Sequence, residues 1–360
     1  MEEKVKNRPE WAANVRRVTP YVPGEQPNET DMIKLNTNEN PYPPSPGVFE
    51  VHRDMDVTGF SLYPELSAAS LTKSLAGYHG ISDREVFVGV GSDDVLSLAF
   101  LTFFNSEKPI LFPDITYSFY PVWADVYRIP YECMPLRHDF TIDPADYYRE
   151  NGGVVIANPN APTSIGMPAS EVEKVIRANP GAVVIIDEAY VDFGGETVLP
   201  WIKKYDNLLV VRTYSKSRSL AGMRIGYAMG NESLIQALND VKESINSYTM
   251  NTESIRIGIA SLGDEEYFQS TLKKIIDTRE RAEKALEEMG FDVKESQTNF
   301  LFASHRAVAA KEIFEQLKKR HIYVRYFDKE RIRDYLRITV GTEEQMDRFL
   351  QAVREILGTF

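Results

Sequence analysis

The chain holds one cysteine, Cys133, in 360 residues. A single thiol can close no intramolecular disulfide and build no multi-cysteine metal site, which fits a reducing compartment and leaves Cys133 to act as a buried small hydrophobe. The five histidines, His52, His79, His138, His305 and His321, show no HExxH or comparable ligand spacing, so no catalytic metal is expected. No apolar run approaches the roughly 18 residues of a membrane span. The start, MEEKVKNRPEWAANVRR, lacks the apolar stretch of a secretory leader, and the expected location is the cytoplasm. An excess of positive charge is missing too. Lys and Arg number 41 against 53 Asp and Glu, a net charge of −12 that on average repels nucleic acid and anionic membranes. Any anionic ligand must be held by local basic groups.

What is present is core-forming material. Hydrophobic residues make up 43% of the chain, and a length prior of about 150 residues per domain suggests two domains. The first forty-odd residues are rich in Pro and Asn (TPYVPGEQPNETD, NENPYPPSPG), which reads as an arm over residues 1–44 wrapped on a body. A helical pattern runs from about Ser67 to Tyr78. Strand candidates follow at Glu85–Val90, Pro109–Phe112, Val154–Ala157, Val183–Ile186, Leu208–Arg212 and Arg224–Met229. Each is a continuous apolar run rather than an alternating one, which predicts an α/β body over residues 45–260 with a mostly parallel sheet covered on both faces. Leu234 to Ala260 reads as helical, and Glu265–Met289 as a long charged amphipathic helix between two domains. Beyond it, strand Asn299–Ala303, helix Val308–Arg320, strands Ile322–Arg325 and Tyr335–Val340 and helix Thr342–Leu357 predict a smaller α+β domain. With the long helix it spans 261–360.

In an open α/β sheet, ligands bind beyond the carboxyl ends of the strands. Four such ends carry reactive groups. VFVGV is followed by GSDDVLSLAF, where Ser92 and Asp93 open a helix whose free N–H groups suit a phosphate; both also read as ordinary caps. VVIA runs into Asn158-Pro159-Asn160-Ala161-Pro162-Thr163-Ser164, a turn with amide donors. AVVII delivers Asp187-Glu188-Ala189-Tyr190. A carboxylate leaving so apolar a run either caps a helix or awaits a cationic partner, because unpaired burial costs several kcal/mol. LLVV leads to Arg212-Thr213-Tyr214-Ser215-Lys216 and on to Gly222-Met223-Arg224-Ile225-Gly226, small residues beside a lysine and an arginine fork suited to phosphate.

This last segment fits S-K-x-x-x-x-x-G-x-R-x-G, and the chain resembles the fold-type I pyridoxal-phosphate (PLP) aminotransferases. Within them it is similar to those acting on histidinol phosphate. The match runs through LNTNENPYPPSP, Tyr63-Pro64, GSDD, PDITYSFY, NPNAPTS, IIDEAYVDF, the lysine segment and YLRITVGTEEQM. The resemblance implies a large domain with a mostly parallel seven-stranded sheet, a homodimer, and pyridoxal 5′-phosphate as cofactor. It gives Lys216 as covalent anchor, Asp187 as partner of the pyridine nitrogen, Tyr190 as donor to ring O3′ and Tyr117 as stacking partner. Ser92, Asp93, Thr213, Ser215 and Arg224 would surround the phosphate with Tyr63 of a second subunit, and Asn158 and Asn160 would join the cofactor contacts. Such chemistry needs a protonated ring nitrogen, which a buried carboxylate stabilises, and a lysine that both tethers the cofactor and moves a proton.

Arg337 in YLRITVGT, Arg325 in IYVRYFD and Tyr21 fall where the resemblance implies recognition of the substrate's anionic group. Each also reads as a structural residue. The implied reaction passes the amino group of L-histidinol phosphate to 2-oxoglutarate. Alternatives are an aromatic amino-acid aminotransferase, a threonine-phosphate decarboxylase and a non-catalytic regulatory relative. Two positions depart from the family pattern: Ala161 stands where a second Asn is usual, and Ser164 where Gly is usual.

Overall fold

Runs such as VVIA and LLVV are satisfied only where both faces of a strand are covered. The computed structural model describes residues 10–28 and 30–359 and buries these runs completely. Of the expected arm, residues 1–9 and Glu29 lie outside the described residues, as does Phe360 at the other end. The chain begins with β1 (Ile33–Leu35), α1 (Pro46–Arg53) and α2 (Ala69–His79). It continues through β2 (Val86–Gly89), α3 (Ser92–Phe103), β3 (Ile110–Pro113), α4 (Phe119–Tyr127) and β4 (Tyr131–Met134). Next come β5 (Gly153–Ala157), α5 (Ala169–Ala178), β6 (Val184–Asp187), β7 (Leu208–Thr213) and β8 (Gly226–Gly230). Helices α6 (Glu232–Ile245), α7 (Thr252–Gly263) and α8 (Glu265–Glu288) lead to β9 (Phe291–Val293), β10 (Phe300–His305), α9 (Ala310–Lys319), β11 (Ile322–Tyr326), β12 (Leu336–Thr339) and α10 (Glu343–Leu357).

Seven strands form one sheet in the order β2-β8-β7-β6-β5-β3-β4, in which only β8 runs against its neighbours. Its two faces carry separate cores. Val154, Ile156, Val184 and Ile186 point into one, and Val155, Ala157, Ile185 and Val211 into the other, as the period of two requires. A second sheet, β1-β11-β12-β10-β9, has its own core of Leu301, Ile313, Leu317, Ile338 and Phe349. Strand β1 pairs in parallel with β11 and so ties the start of the described chain to this sheet. Helix α8 touches both bodies: Phe268, Leu272 and Ile275 pack with Phe193, and Ala282 and Leu286 join the core of the second sheet.

Several expectations need correction. Leu234 to Ala260 is two helices, because Asn246 ends the first and the Asn251 side chain caps the second, accepting from Ser254 N–H at 2.7 Å. The last strand of the large sheet starts at Gly226, since Arg224 takes a left-handed backbone with φ 52. Strands β4, β1 and β9 were not anticipated; YECM and IKL are short and lie at sheet edges, and FDV carries an acid. Cys133 is exposed rather than buried, because β4 is an edge strand. Among the described residues no helix is long and apolar enough to cross a membrane, and no three His, Cys, Asp or Glu side chains converge as a metal site.

Candidate active site

The carboxyl ends of β5, β6 and β7 open onto a cavity of about 180 Å3 lined by Lys216, Asp187, Tyr190, Tyr117 and Arg224, among others. Past Thr213 the chain turns tightly, with Ser215 N–H donating to Thr213 Oγ1 at 3.1 Å. Asn40 Nδ2 donates to the carbonyls of Lys216 and Ser217, both at 3.1 Å, and Ser217 Oγ donates to Asp192 at 2.5 Å. The loop is thus pinned while the Lys216 side chain stays free to reach. Its Nζ touches the Thr37 carbonyl at 3.5 Å and lies 5.8 Å from the Tyr190 ring centroid. Among the described residues it makes no ion pair, as a nucleophilic amine requires.

Asp187 ends β6, buried, with Oδ2 accepting from Tyr120 Oη at 2.9 Å and Oδ1 from Ala189 N–H at 3.1 Å. Burial pushes its pKa up to about 6 against the pull of those two donors. It is a carboxylate with hydrogen bonds and no cation. Its neighbour Glu188 is used differently: it pairs with Arg212 at 2.8 Å and accepts from Val198 N–H and Thr197, a brace between the loops that carry Asp187 and Lys216.

The opposite end of the cavity is built for an anion. Gly91 precedes α3 with φ 87, and a side chain there would meet the Arg224 guanidinium. A Cβ on Gly226 would lie 2.2 Å from Ser92 N. Backbone, guanidinium and helix N-terminus therefore converge as only glycine allows. Arg224 lies 3.3 Å from Asp93, whose other oxygen accepts from Tyr117 Oη at 2.7 Å. The Asp93 carboxylate orients those two groups, leaving only its N–H for an anion. Tyr117 is buried enough to hold its phenol protonated well above the usual range.

A second cavity of about 250 Å3 shares Lys216, Tyr190, Tyr117 and Ala161 with the first and extends to Arg337, Arg325 and Tyr21. Arg337 is partly buried, its guanidinium lying over the rings of Phe300 and Phe327; one nitrogen donates to Asn36 O at 2.8 Å and the buried Nε has no partner. Burial lowers its pKa, with the Arg325 charge adding to the effect. A guanidinium with no carboxylate in reach is a group awaiting an anion. Arg325 sits opposite it in the β11–β12 register and donates to the carbonyls of Pro23 and Val22 at 3.3 and 3.4 Å, holding the arm. Tyr21 stacks on Phe119 at 4.2 Å beside the cavity.

Two expected contacts do not converge here, and the one expected from a second subunit lies on the surface of its own chain. Asn158 closes its amide on Met167 N–H and C=O at 2.7 and 3.0 Å, and Asn160 spends its amide on Ile115 O, Thr163 and Thr116. Both hold the turn rather than face the cavity. Tyr63 is 83% exposed and stacks on Tyr248 at 4.8 Å, outside its own chain's cavities. Tyr120 and Asn38 were missed. Tyr120 lies in PDITYSFY, in the first turn of α4, where the sequence pattern does not separate it from core. Asn38 lies in LNTNENP, where nothing but its place in the motif marked it.

The aminotransferase class I and II family matches residues 30–353. A histidinol-phosphate aminotransferase of Lactococcus lactis subsp. cremoris (strain MG1363) is 51% identical over 96% of this chain and 98% of its own length. A histidinol-phosphate aminotransferase of Clostridium acetobutylicum is 50% identical over 97% and 99%. The crystal structure of histidinol-phosphate aminotransferase from Sinorhizobium meliloti in complex with pyridoxal-5′-phosphate superposes with a TM-score of 0.83 at 24% identity, covering 91% of each chain.

Proposed function

The chain belongs to the aminotransferase class I and II family, and from that premise we propose that it transfers the amino group of L-histidinol phosphate to 2-oxoglutarate, giving imidazole acetol phosphate and L-glutamate. It is a PLP-dependent aminotransferase. The residues present fit that cofactor. A free lysine amine, a buried acid without a cation and a glycine-lined anion cradle open onto one cavity, and that convergence is the observation that carries the reading.

Bound PLP supplies an aldehyde for amines and a ring that withdraws electrons from substrate Cα. Lys216 Nζ would hold the aldehyde and, once displaced by the substrate amine, take the Cα proton as a neutral base. Asp187 would hold the proton on the ring nitrogen, the cation its burial calls for. Arg224 and the N–H groups opening α3 would bind the phosphate, with Thr213 and Ser215 beside them. Tyr117 would cover the ring, and Tyr190 would donate to its O3′. Arg337 would be the fork for the substrate's oxyanion, phosphate in one half-reaction and carboxylate in the other, with Tyr21 and Arg325 closing the arm over it.

We further infer a homodimer in the cytoplasm, with division into an arm (1–44), a large domain (45–260) and a small domain (261–360). The exposed run Val57, Phe60, Leu62 and Tyr63, together with Ile245 and Tyr248, is apolar surface that a second copy would cover, placing Tyr63 at the partner's phosphate.

The test is Lys216→Ala. It should bind PLP without forming a borohydride-reducible adduct and should lose turnover while keeping its unfolding midpoint. An adduct on another lysine refutes the assignment.

A further inference from the structure

Ala161 leaves the cavity without a side-chain donor at the turn, and Asn158 and Asn160 are committed elsewhere. The Tyr190 hydroxyl is then the donor that remains on this side, and its direction matters. A phenol has one hydrogen and can turn it toward any acceptor. What fixes it is Asn38, whose Nδ2 donates to Tyr190 Oη at 2.9 Å. An amide nitrogen offers hydrogens and accepts none, so the Tyr190 hydrogen points away from Asn38, on the side of the cavity that Tyr190 shares with Lys216 and Ala161.

Asn38 is held by every polar group it has. Its N–H donates to Thr339 Oγ1 at 3.0 Å, the Thr339 hydroxyl donates back to Asn38 Oδ1 at 3.1 Å, and Asn299 Nδ2 donates to its carbonyl at 3.0 Å. The Thr339 bond fixes which way the amide faces: oxygen to Thr339, nitrogen to Tyr190. The residue is buried with φ 56, a left-handed backbone that Asn adopts more readily than most. So constrained a residue is set to one orientation.

We infer that Asn38 is a positioning residue that makes the Tyr190 hydroxyl a committed hydrogen-bond donor into the cofactor cavity, compensating for the amide missing at Ala161. This rests on the cofactor reading above. A donor stabilises a ring oxygen most when that oxygen is fully charged, so the commitment keeps the bound cofactor's deprotonated form accessible at lower pH.

The experiment is a double-mutant cycle read by the pH dependence of the bound cofactor's visible absorption. Asn38→Gly removes the amide and tolerates the left-handed backbone. It should raise the absorption pKa by about half a unit to one unit in the wild-type background, and by nothing measurable in Tyr190→Phe. Asn38→Asp keeps the size and the Thr339 bond but draws the Tyr190 hydrogen to itself, so the rise should be larger, and smaller again in Tyr190→Phe. Thermal midpoints of the cofactor-free variants check folding, and the Asp variant carries the test should the Gly variant not fold. No shift, a downward shift, or equal shifts in both backgrounds overturns the role of Asn38 while leaving the cofactor reading in place. A wild-type protein that shows no PLP absorption band dependent on Lys216 overturns both.

Discussion

The Tyr120 hydroxyl donates to Asp187 Oδ2 across 2.9 Å, wholly buried, so the acid at the end of β6 is held by a phenol rather than by a charge. Tyr120 itself stays protonated, its pKa driven far up by burial and the carboxylate beside it. Under the proposed function the pair would accept the cation that arrives with the cofactor.

A pH signature follows for the cofactor-free protein. The folded pKa of Asp187, about 6, is raised above the value of about 3.9 in an unfolded chain. The native state therefore favours the neutral acid. The stability this gives is fully present below about pH 4 and is lost as pH rises through 6. Asp187→Asn removes the buried charge, so at pH 8 the cofactor-free variant should be more stable by up to about 3 kcal/mol, with the gap shrinking toward pH 4. Urea midpoints at the two pH values decide it. A variant less stable at both would make Asp187 a structural cap.

Much of this site could be read from residue order. Lys216 and Asp187 follow apolar runs that read as doubly covered strands, and a reactive group at the carboxyl end of such a strand is exposed to ligand by construction, while Arg224 reaches the same edge of the sheet because it precedes the antiparallel β8. What could not be read was which polar side chains fold back on the backbone. Asn158 and Asn160 look like donors in the sequence, but a turn with two prolines has few N–H groups of its own, and their amides close it. Tyr120 was equally hidden, since a tyrosine in PDITYSFY is indistinguishable from core until the helix is placed under β6. The short edge strands β1, β4 and β9 escaped because they lack the doubly buried pattern that marked the others.

Arg337 should show a trade between stability and function. Its Nε is buried without a partner and the guanidinium has no carboxylate beside it, so Arg337→Met should fold at least as stably as the wild type. In the same variant, kcat/KM for both histidinol phosphate and glutamate should fall by about 30- to 1000-fold, roughly 2 to 4 kcal/mol each, because one fork serves both oxyanions. Loss with only one substrate contradicts the dual role, and a large loss of stability contradicts the orphan charge.

The exposed Tyr63 gives a complementation test. Tyr63→Ala and Lys216→Ala homodimers should each have impaired sites. A mixed dimer places both lesions in one site and leaves the other intact, so mixing should restore part of the activity. Activity that stays at the level of the parents, with subunit exchange confirmed by mass, would mean that Tyr63 acts within its own chain or not at all.

The most direct measurement of the central claim is a single-turnover panel on the PLP form with histidinol phosphate, phenylalanine, aspartate, glutamate and threonine phosphate. Pyridoxamine phosphate and carbon dioxide are followed together. Histidinol phosphate should give pyridoxamine phosphate with the highest kcat/KM among the amines other than glutamate, and no carbon dioxide should be released from any of them. Preference for phenylalanine over histidinol phosphate, or release of carbon dioxide from threonine phosphate, would contradict it.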